Sequence, residues 1–209
     1  MPIQCTHIPI RSTIFDFAGT ISATPYFWPL GAEFCNIVTE AIFTGEQKTR
    51  WATPWCCGKI SSLEIADYLA GLSGVSVAHI LTALEEGCTQ MQLAPHLWRF
   101  AQAQRHAGRQ AALVTVNMDV FTRLVVPAHG FSKVFDTIVN SADVGTEDKM
   151  ALCDIALSRM QCSSFETSLL IDDSAEVAAA FRLRGGKAYQ FVTDVAFAEW
   201  EAQEWHSMA

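Results

Sequence analysis

Two short apolar runs, each ending in a carboxylate, constrain the fold of this chain more than any other feature. Thr13-Ile14-Phe15 runs into Asp16, and Ser168-Leu169-Leu170-Ile171 runs into Asp172-Asp173. Runs of this length without polar alternation read as strands buried on both faces, which is the habit of a parallel sheet covered by helices. Open sheets of that kind bind ligands at the carboxyl ends of their strands, so both acids stand where chemistry would take place. Further strands are predicted over 111–116, 135–139 and 188–192, alternating with helical periodicity. The alternation implies an α/β fold with a doubly wound parallel sheet.

Between the first strand and residue 93 the pattern changes. Phe34, Val38, Ala41 and Ile42 recur at helical spacing within 25–45. Ser61-Ser62-Leu63-Glu64 reads as a capping box opening a stripe of Ile65, Tyr68, Leu69 and Leu72 that Gly74 ends. Ser76 caps a further helix through Ile80, Leu81 and Leu84, predicted to stop at Gly87. With no strand in this region, the chain divides into a core domain, 1–22 with 94–209, and an inserted α-helical cap domain, 23–93. In the core, Pro95 opens a helix ending at Gly108, another is predicted over 120–128 with Pro127 in its last turn, and a third over 149–160. Ser174 caps a fourth reaching Gly185-Gly186, and Asp194 is predicted to cap a terminal helix carrying Trp200 and Trp205.

Composition narrows the partners. A formal net charge of −8 with no Lys/Arg cluster excludes nucleic acid, whose phosphates need neutralising cations. No run of about 18 apolar residues exists, so no membrane span is expected, and 1–11 lacks the apolar segment of a leader. The seven cysteines (Cys5, Cys35, Cys56, Cys57, Cys88, Cys153, Cys162) show no C-x-x-C spacing and read as reduced thiols of a cytoplasmic protein. The expected partner is a small molecule, with the chain a monomer or homodimer.

The candidate site joins four strand ends: Asp16, Thr115, Lys149 and the pair Asp172-Asp173. A carboxylate such as Asp16 can attack phosphorus and split a hydrolysis into two easier steps. Asp16 with Asp172 and Asp173 makes a hard oxygen site of the kind Mg²⁺ takes. Thr115 and the N–H groups after it can hold phosphate oxygens, and Lys149 supplies a cation. Gly19 permits close backbone approach, and Thr20 opens the following segment. Each residue alone also has an ordinary structural role: a turn acid at Asp16, a capping hydroxyl at Thr115, a solvated helix start at Lys149, a helix cap at Asp172-Asp173. Their joint occurrence, in this order, is what points to phosphoryl chemistry.

On these residues the chain resembles the haloacid dehalogenase-like (HAD) hydrolase superfamily. Ile14-Phe15-Asp16-Phe17-Ala18-Gly19-Thr20 resembles its first motif, Ala112-Leu113-Val114-Thr115 its second, Lys149 its third, and Leu169-Leu170-Ile171-Asp172-Asp173-Ser174 its fourth. The helical insertion resembles the cap of subfamily I, with Gly58-Lys59-Ile60-Ser61 and Glu64 similar to a recurrent cap segment. The resemblance implies a Rossmann-like core, Mg²⁺ dependence and an aspartyl-phosphate intermediate. Implied catalytic residues are Asp16, Thr115 and Lys149. Implied substrate-binding residues are Gly19, Thr20, Val116, Asn117 and Lys59, and implied metal ligands are Asp16, the Ala18 carbonyl, Asp172 and Asp173.

One departure bears on activity. Phosphatases of this superfamily carry a second Asp two positions after the nucleophile, as general acid and base, and here Ala18 stands there. Loss of a positioned proton donor costs about 10²–10⁴-fold in rate. Phosphonoacetaldehyde hydrolases resemble the chain in their Asp-x-Ala-Gly-Thr and use a cap lysine as a Schiff base. Of the cap lysines Lys48 and Lys59, Lys59 is the better placed by sequence. Haloacid dehalogenases proper also lack the second Asp but need no metal, which the Asp172-Asp173 pair argues against. Two further alternatives are a catalytically weak phosphate-binding or regulatory module and a response-regulator receiver. In the receiver the acidic pair precedes the phosphorylated Asp, whereas here it comes last.

Overall fold

The structure, a computed structural model, describes residues 9–161 and 164–205. Within them, β1 (Ser12–Phe15), β2 (Gln110–Thr115), β3 (Thr137–Asn140), β4 (Ser168–Asp172) and β5 (Lys187–Gln190) form one parallel sheet in the order β3-β2-β1-β4-β5. The chain steps outward from β1 to β3, then crosses back to β4 on the other side. That reversal leaves a crevice at the carboxyl ends of β1 and β4, where α/β sheets bind ligands. Phe15 pairs in register with Leu113 on one side and Ile171 on the other. The next residue of β1, Asp16, therefore emerges at the sheet edge beside the ends of both neighbours.

Side-chain alternation along the strands splits the core into two layers. Ile14, Ala112, Val114, Val139 and Leu170 pack against Leu152, Cys153 and Ala156 of the helix Lys149–Arg159 and Phe181 of the helix Ala175–Leu183. On the opposite face, Phe15, Leu113 and Ile171 meet Leu97 and Phe100 of the helix Pro95–His106, with Phe197 and Trp205 behind them. Burying each such side chain contributes about 1.5–3 kcal/mol. The second layer continues without a break into the helical insertion, through Phe27, Phe34, Trp55, Ile65, Leu69, Ile80 and Leu84. The doubly wound parallel core and the absence of strands across the insertion agree with the sequence.

Several local expectations shift, each for a physical reason. Phe135 does not join β3; its ring packs on Phe15 and Phe131 beneath the sheet. The strand begins only after Asp136, whose carboxylate accepts from the Ala111 N–H at 2.9 Å. β5 stops at Gln190 and leaves Val192 exposed, although the Phe191 N–H still donates to the Asp172 carbonyl at 2.9 Å. The first stripe of the insertion is helical only from Gly31, after a 3₁₀ turn at Trp28–Leu30 that carries Pro29. Wider helical turns with i→i+5 bonding over Phe121–Val125 precede Pro127, which lacks an N–H and crowds the preceding turn.

The capping box at Ser61 and the caps at Ser76 and Ser174 form as expected. The helix after Ser76 runs through Gly87 to Thr89, because Gly87 serves close packing: a Cβ there would collide with the Tyr26 carbonyl oxygen. Asp194 does not cap its own helix. Thr193 does, accepting from the Ala196 N–H at 3.1 Å. The Asp194 carboxylate instead accepts from the His96 and Leu97 N–H groups, both at 2.9 Å, at the start of the Pro95–His106 helix. The described cysteines Cys35, Cys56, Cys57, Cys88 and Cys153 are free thiols, while Cys5, Cys162 and His206 lie outside the described residues. Among the described residues no single helix is long and apolar enough to cross a membrane. The apolar helix pair Ser62–Ser73 and Val77–Thr89 is bent by 119° at its turn.

Candidate active site

The turn after β1 is built tightly. Gly19 N–H donates to the Ser22 carbonyl at 2.8 Å, and the Thr20 and Ser22 N–H groups return to the Phe17 carbonyl at 3.2 and 3.0 Å. Gly19 adopts φ of +79°, and a Cβ there would lie 2.5 Å from Asp173 Oδ2. Glycine is thus required both for its left-handed backbone and to admit the Asp173 carboxylate. Thr20 is buried, and its hydroxyl accepts from the Asp173 N–H at 3.1 Å. The turns following β1 and β4 are therefore fastened to each other. Asp172 Oδ1 accepts from the Ser174 N–H at 2.9 Å, which leaves Oδ2 facing the site.

Asp16, Asp172 and Asp173 each offer an oxygen, and these oxygens lie within 4.8 Å of one another. Lys149 reaches in from the first turn of its helix, where Asp148 caps through the Met150 and Ala151 N–H groups at 3.0 and 3.1 Å. Its ammonium bonds Asp16 Oδ1 and stands 3.2 Å from Asp172 Oδ2. Burial pushes the Asp16 carboxyl upward, and Asp172 adds to the rise against the opposing pull of Lys149. Burial alone would lower the Lys149 ammonium, but Asp16 and Asp172 outweigh it and hold it above the usual lysine value. Burial, then Asp172, also raises Asp173. The same three carboxylates could hold a divalent cation, a hard ion that prefers oxygen donors.

A cavity of about 590 Å³ opens over these groups, lined by Asp16, Ala18, Val116, Glu147, Lys149 and Asp173 on the core side and by Lys48 from the insertion. The lysine from the insertion that borders the cavity is thus Lys48; Lys59 is exposed and not among the lining residues. Gly58, just before it, packs against the core, where a Cβ would lie 2.5 Å from the Ala142 carbonyl oxygen. A larger cavity, about 780 Å³, lies on the far side of the Gly19-Thr20 turn. The one charged residue in its lining, Asp194, is engaged in capping a helix, so the chemistry belongs to the smaller space.

At the end of β2, Thr115 Oγ1 is buried without a partner, and two residues on so is Asn117 Nδ2. Leaving such groups unsatisfied costs about 1–3 kcal/mol each, so their placement favours an incoming acceptor. The backbone N–H groups expected to share this role are partly taken. Asn117 N–H donates to Ser141 Oγ at 2.8 Å, and Met118 N–H donates to Asn117 Oδ1 at 3.0 Å. Ser141 in turn donates to the Cys56 carbonyl at 2.6 Å, and Asn140 Nδ2 donates to the Met118 carbonyl at 2.9 Å. The Tyr26 hydroxyl, from the segment entering the insertion, donates to Asn117 Oδ1 at 2.8 Å. By sequence Tyr26 is one of several aromatics, with Phe27, Trp28, Trp51 and Trp55, that could line a pocket between cap and core or simply pack together, and Ser141 has no assigned role; the partner of each lies far along the chain.

No protein-family model matches the chain, and no curated protein matches it by sequence. Solved structures do match in fold. A HAD family enzyme from Bacteroides thetaiotaomicron, solved with magnesium and inorganic phosphate, aligns at a TM-score of 0.64 with 15% identity, over 88% of this chain and 95% of that one. A predicted HAD-like family hydrolase from Porphyromonas gingivalis aligns at 0.68 with 14% identity, over 93% and 98% of the two chains. The L-2-haloacid dehalogenase from Xanthobacter autotrophicus aligns at 0.62 with 12% identity, over 93% and 83%.

Proposed function

We propose that this chain is a Mg²⁺-dependent hydrolase of the HAD type that cleaves a small phosphorylated metabolite through an aspartyl phosphate at Asp16. The observation that carries this reading is the convergence of Asp16, Asp172 and Asp173 about Lys149 at the switch point of a parallel sheet. Asp16, Asp172, Asp173 and the Ala18 carbonyl would hold the ion, which when bound offsets repulsion between the carboxylates and a phosphate dianion. The magnesium and phosphate of the Bacteroides enzyme, on the same fold, support the assignment.

In this reading an Asp16 oxygen attacks phosphorus, the bond to the leaving-group oxygen breaks, and a phosphoryl-aspartate remains. Water then attacks the same phosphorus, releasing phosphate and restoring the carboxylate. Lys149 and Thr115 neutralise and hold the phosphoryl oxygens. With Ala18 in place of a carboxylate, no side chain at that position protonates the departing oxygen. The test is phosphate release from a panel of phosphoesters with Mg²⁺: Asp16→Asn abolishes turnover, and beryllium fluoride protects Asp16 in the wild type. A variant that kept full rate would eliminate the mechanism.

Ala18 supports a second reading, a phosphate-binding module with little turnover. Wild type that binds beryllium fluoride but releases no phosphate from any ester would favour it. Were the chemistry instead carbon–phosphorus cleavage through an amine, borohydride reduction with substrate would trap Lys48, the lysine bordering the cavity, rather than Lys59.

A further inference from the structure

The segment that enters the helical insertion makes one polar contact with the loop after β2, and that contact fixes the orientation of an otherwise idle donor. Met118 N–H donates to Asn117 Oδ1 at 3.0 Å, and Tyr26 Oη donates to the same oxygen at 2.8 Å. A backbone N–H can only donate, so the oxygen of the amide must face it and Nδ2 must point the other way. Nδ2 is buried and meets no acceptor, in a residue only 2% exposed. Two residues earlier, Thr115 Oγ1 is also buried and unpartnered. Adjacent buried polar groups of this kind are rare in native proteins unless a ligand or water completes them.

Tyr26 is itself tightly held. Its carbonyl rests on Gly87, where no larger residue fits. The two chain segments joining insertion to core are stitched beside it: Ser22 Oγ donates to the Gln92 carbonyl at 2.8 Å, and Gln92 N–H donates to Thr24 Oγ1 at 3.1 Å. Burial holds the phenol well above its ordinary value, so it remains a donor.

We propose that Tyr26 is a positioning residue: by occupying Asn117 Oδ1 from the insertion side, it aims Asn117 Nδ2 at the phosphoryl oxyanion bound beside Asp16. Seating of the insertion and grip on the oxyanion then become one event. This rests on the phosphoryl-transfer reading above and adds to it a donor that acts through the cap.

The test is calorimetric titration with orthovanadate and with beryllium fluoride, each with Mg²⁺. Asn117→Ala removes the Nδ2 donor without adding a charge; affinity is expected to fall by about 100-fold, as when one oxyanion-hole donor is lost. Tyr26→Phe is expected to weaken binding by about 5–10-fold, a neutral hydrogen bond's share, with its melting temperature matched to wild type as a control. Independently of any variant, the Asn117 side-chain amide resonances of the wild type should shift on adding beryllium fluoride. Wild-type binding that both variants retain, with unmoved Asn117 resonances, overturns the proposal but leaves the phosphoryl reading intact. A wild type that binds neither probe removes both.

Discussion

In the proposed phosphoryl transfer, Ala18 decides which leaving groups the site can expel. It lines the cavity beside Asp16 with a methyl group where a proton donor would otherwise stand. A leaving oxygen that receives no proton must depart as an anion, so rates should depend steeply on leaving-group acidity. Ala18→Asp should then accelerate alkyl phosphates by about 10²–10⁴-fold while barely changing p-nitrophenyl phosphate, and flatten a plot of log kcat/KM against leaving-group pKa. A shallow plot for wild type would instead locate a donor elsewhere in the cavity. Glu147, which lines the same space, would be identified if Glu147→Gln steepened it. Lys149 carries a different consequence. Its ammonium compensates buried carboxylates, so Lys149→Met should destabilise the metal-free protein by about 3–5 kcal/mol, the cost of leaving buried charge unpaired. Mg²⁺ should restore part of that loss, as a melting curve with and without EDTA would read. Because the folded-state pKa of Lys149 is raised from 10.5, its stabilisation is complete below that value and is lost as pH climbs through the raised one. The metal-free wild type should therefore lose stability on that alkaline limb, and Lys149→Met should lose less.

Elements of this fold divide by whether their determinants are local. β1 and β4 are legible from sequence because a buried parallel strand is an apolar run, and each ends in the acid it presents. Ser61 and Ser76 cap through their own helices, so the capping signal and its target lie within three residues. Asp194 shows the opposite case. Its carboxylate closes the start of the Pro95–His106 helix, 97 positions from Leu97, whose N–H it accepts at 2.9 Å. Ala94 in the cap position offers no side-chain acceptor of its own. Asp194→Ala should cost about 1–2 kcal/mol, a cap together with its charge on the helix N-terminus, and Asp194→Asn distinctly less, by urea denaturation. An alanine variant of unchanged midpoint would show that water replaces the cap without loss. The same distinction governs the site. Asp16, Thr115, Lys149 and Asp172 are readable as strand-end and helix-start residues. Lys48 borders the cavity from the insertion and Tyr26 reaches Asn117 from it; their side-chain directions depend on how the short helices pack, and no periodicity in 25–60 carries that information.

At the scale of the molecule, the insertion is not an independently packed unit. Ile65, Leu69, Ile80 and Leu84 belong to the same continuous cluster as Phe15, Leu113 and Ile171 beneath the sheet. Polar ties cross the same seam: Tyr26 to Asn117, Ser62 Oγ to Asp119 Oδ1 at 2.8 Å, and Ser141 Oγ to the Cys56 carbonyl. Separating the two parts would expose that shared apolar surface at about 25 cal/mol per Å² and strand buried polar groups as well. The chain should therefore unfold as one unit, with calorimetric and van't Hoff enthalpies equal. Ile65→Ala, deep in the insertion, should lower stability by about 2–5 kcal/mol, and hydrogen exchange should quicken in β2 as much as in the helix Ser62–Ser73. Two resolved melting transitions, or protection lost only in the insertion, would mean that the seam is weaker than its packing. Because one cooperative unit resists wholesale opening, substrate exchange is expected through the mouth of the 590 Å³ cavity beside Lys48. A disulfide engineered between positions 62 and 119, where the Ser62 and Asp119 side chains already touch across the seam, should accordingly leave phosphate-analogue binding unchanged, whereas a cap that must swing open would lose it.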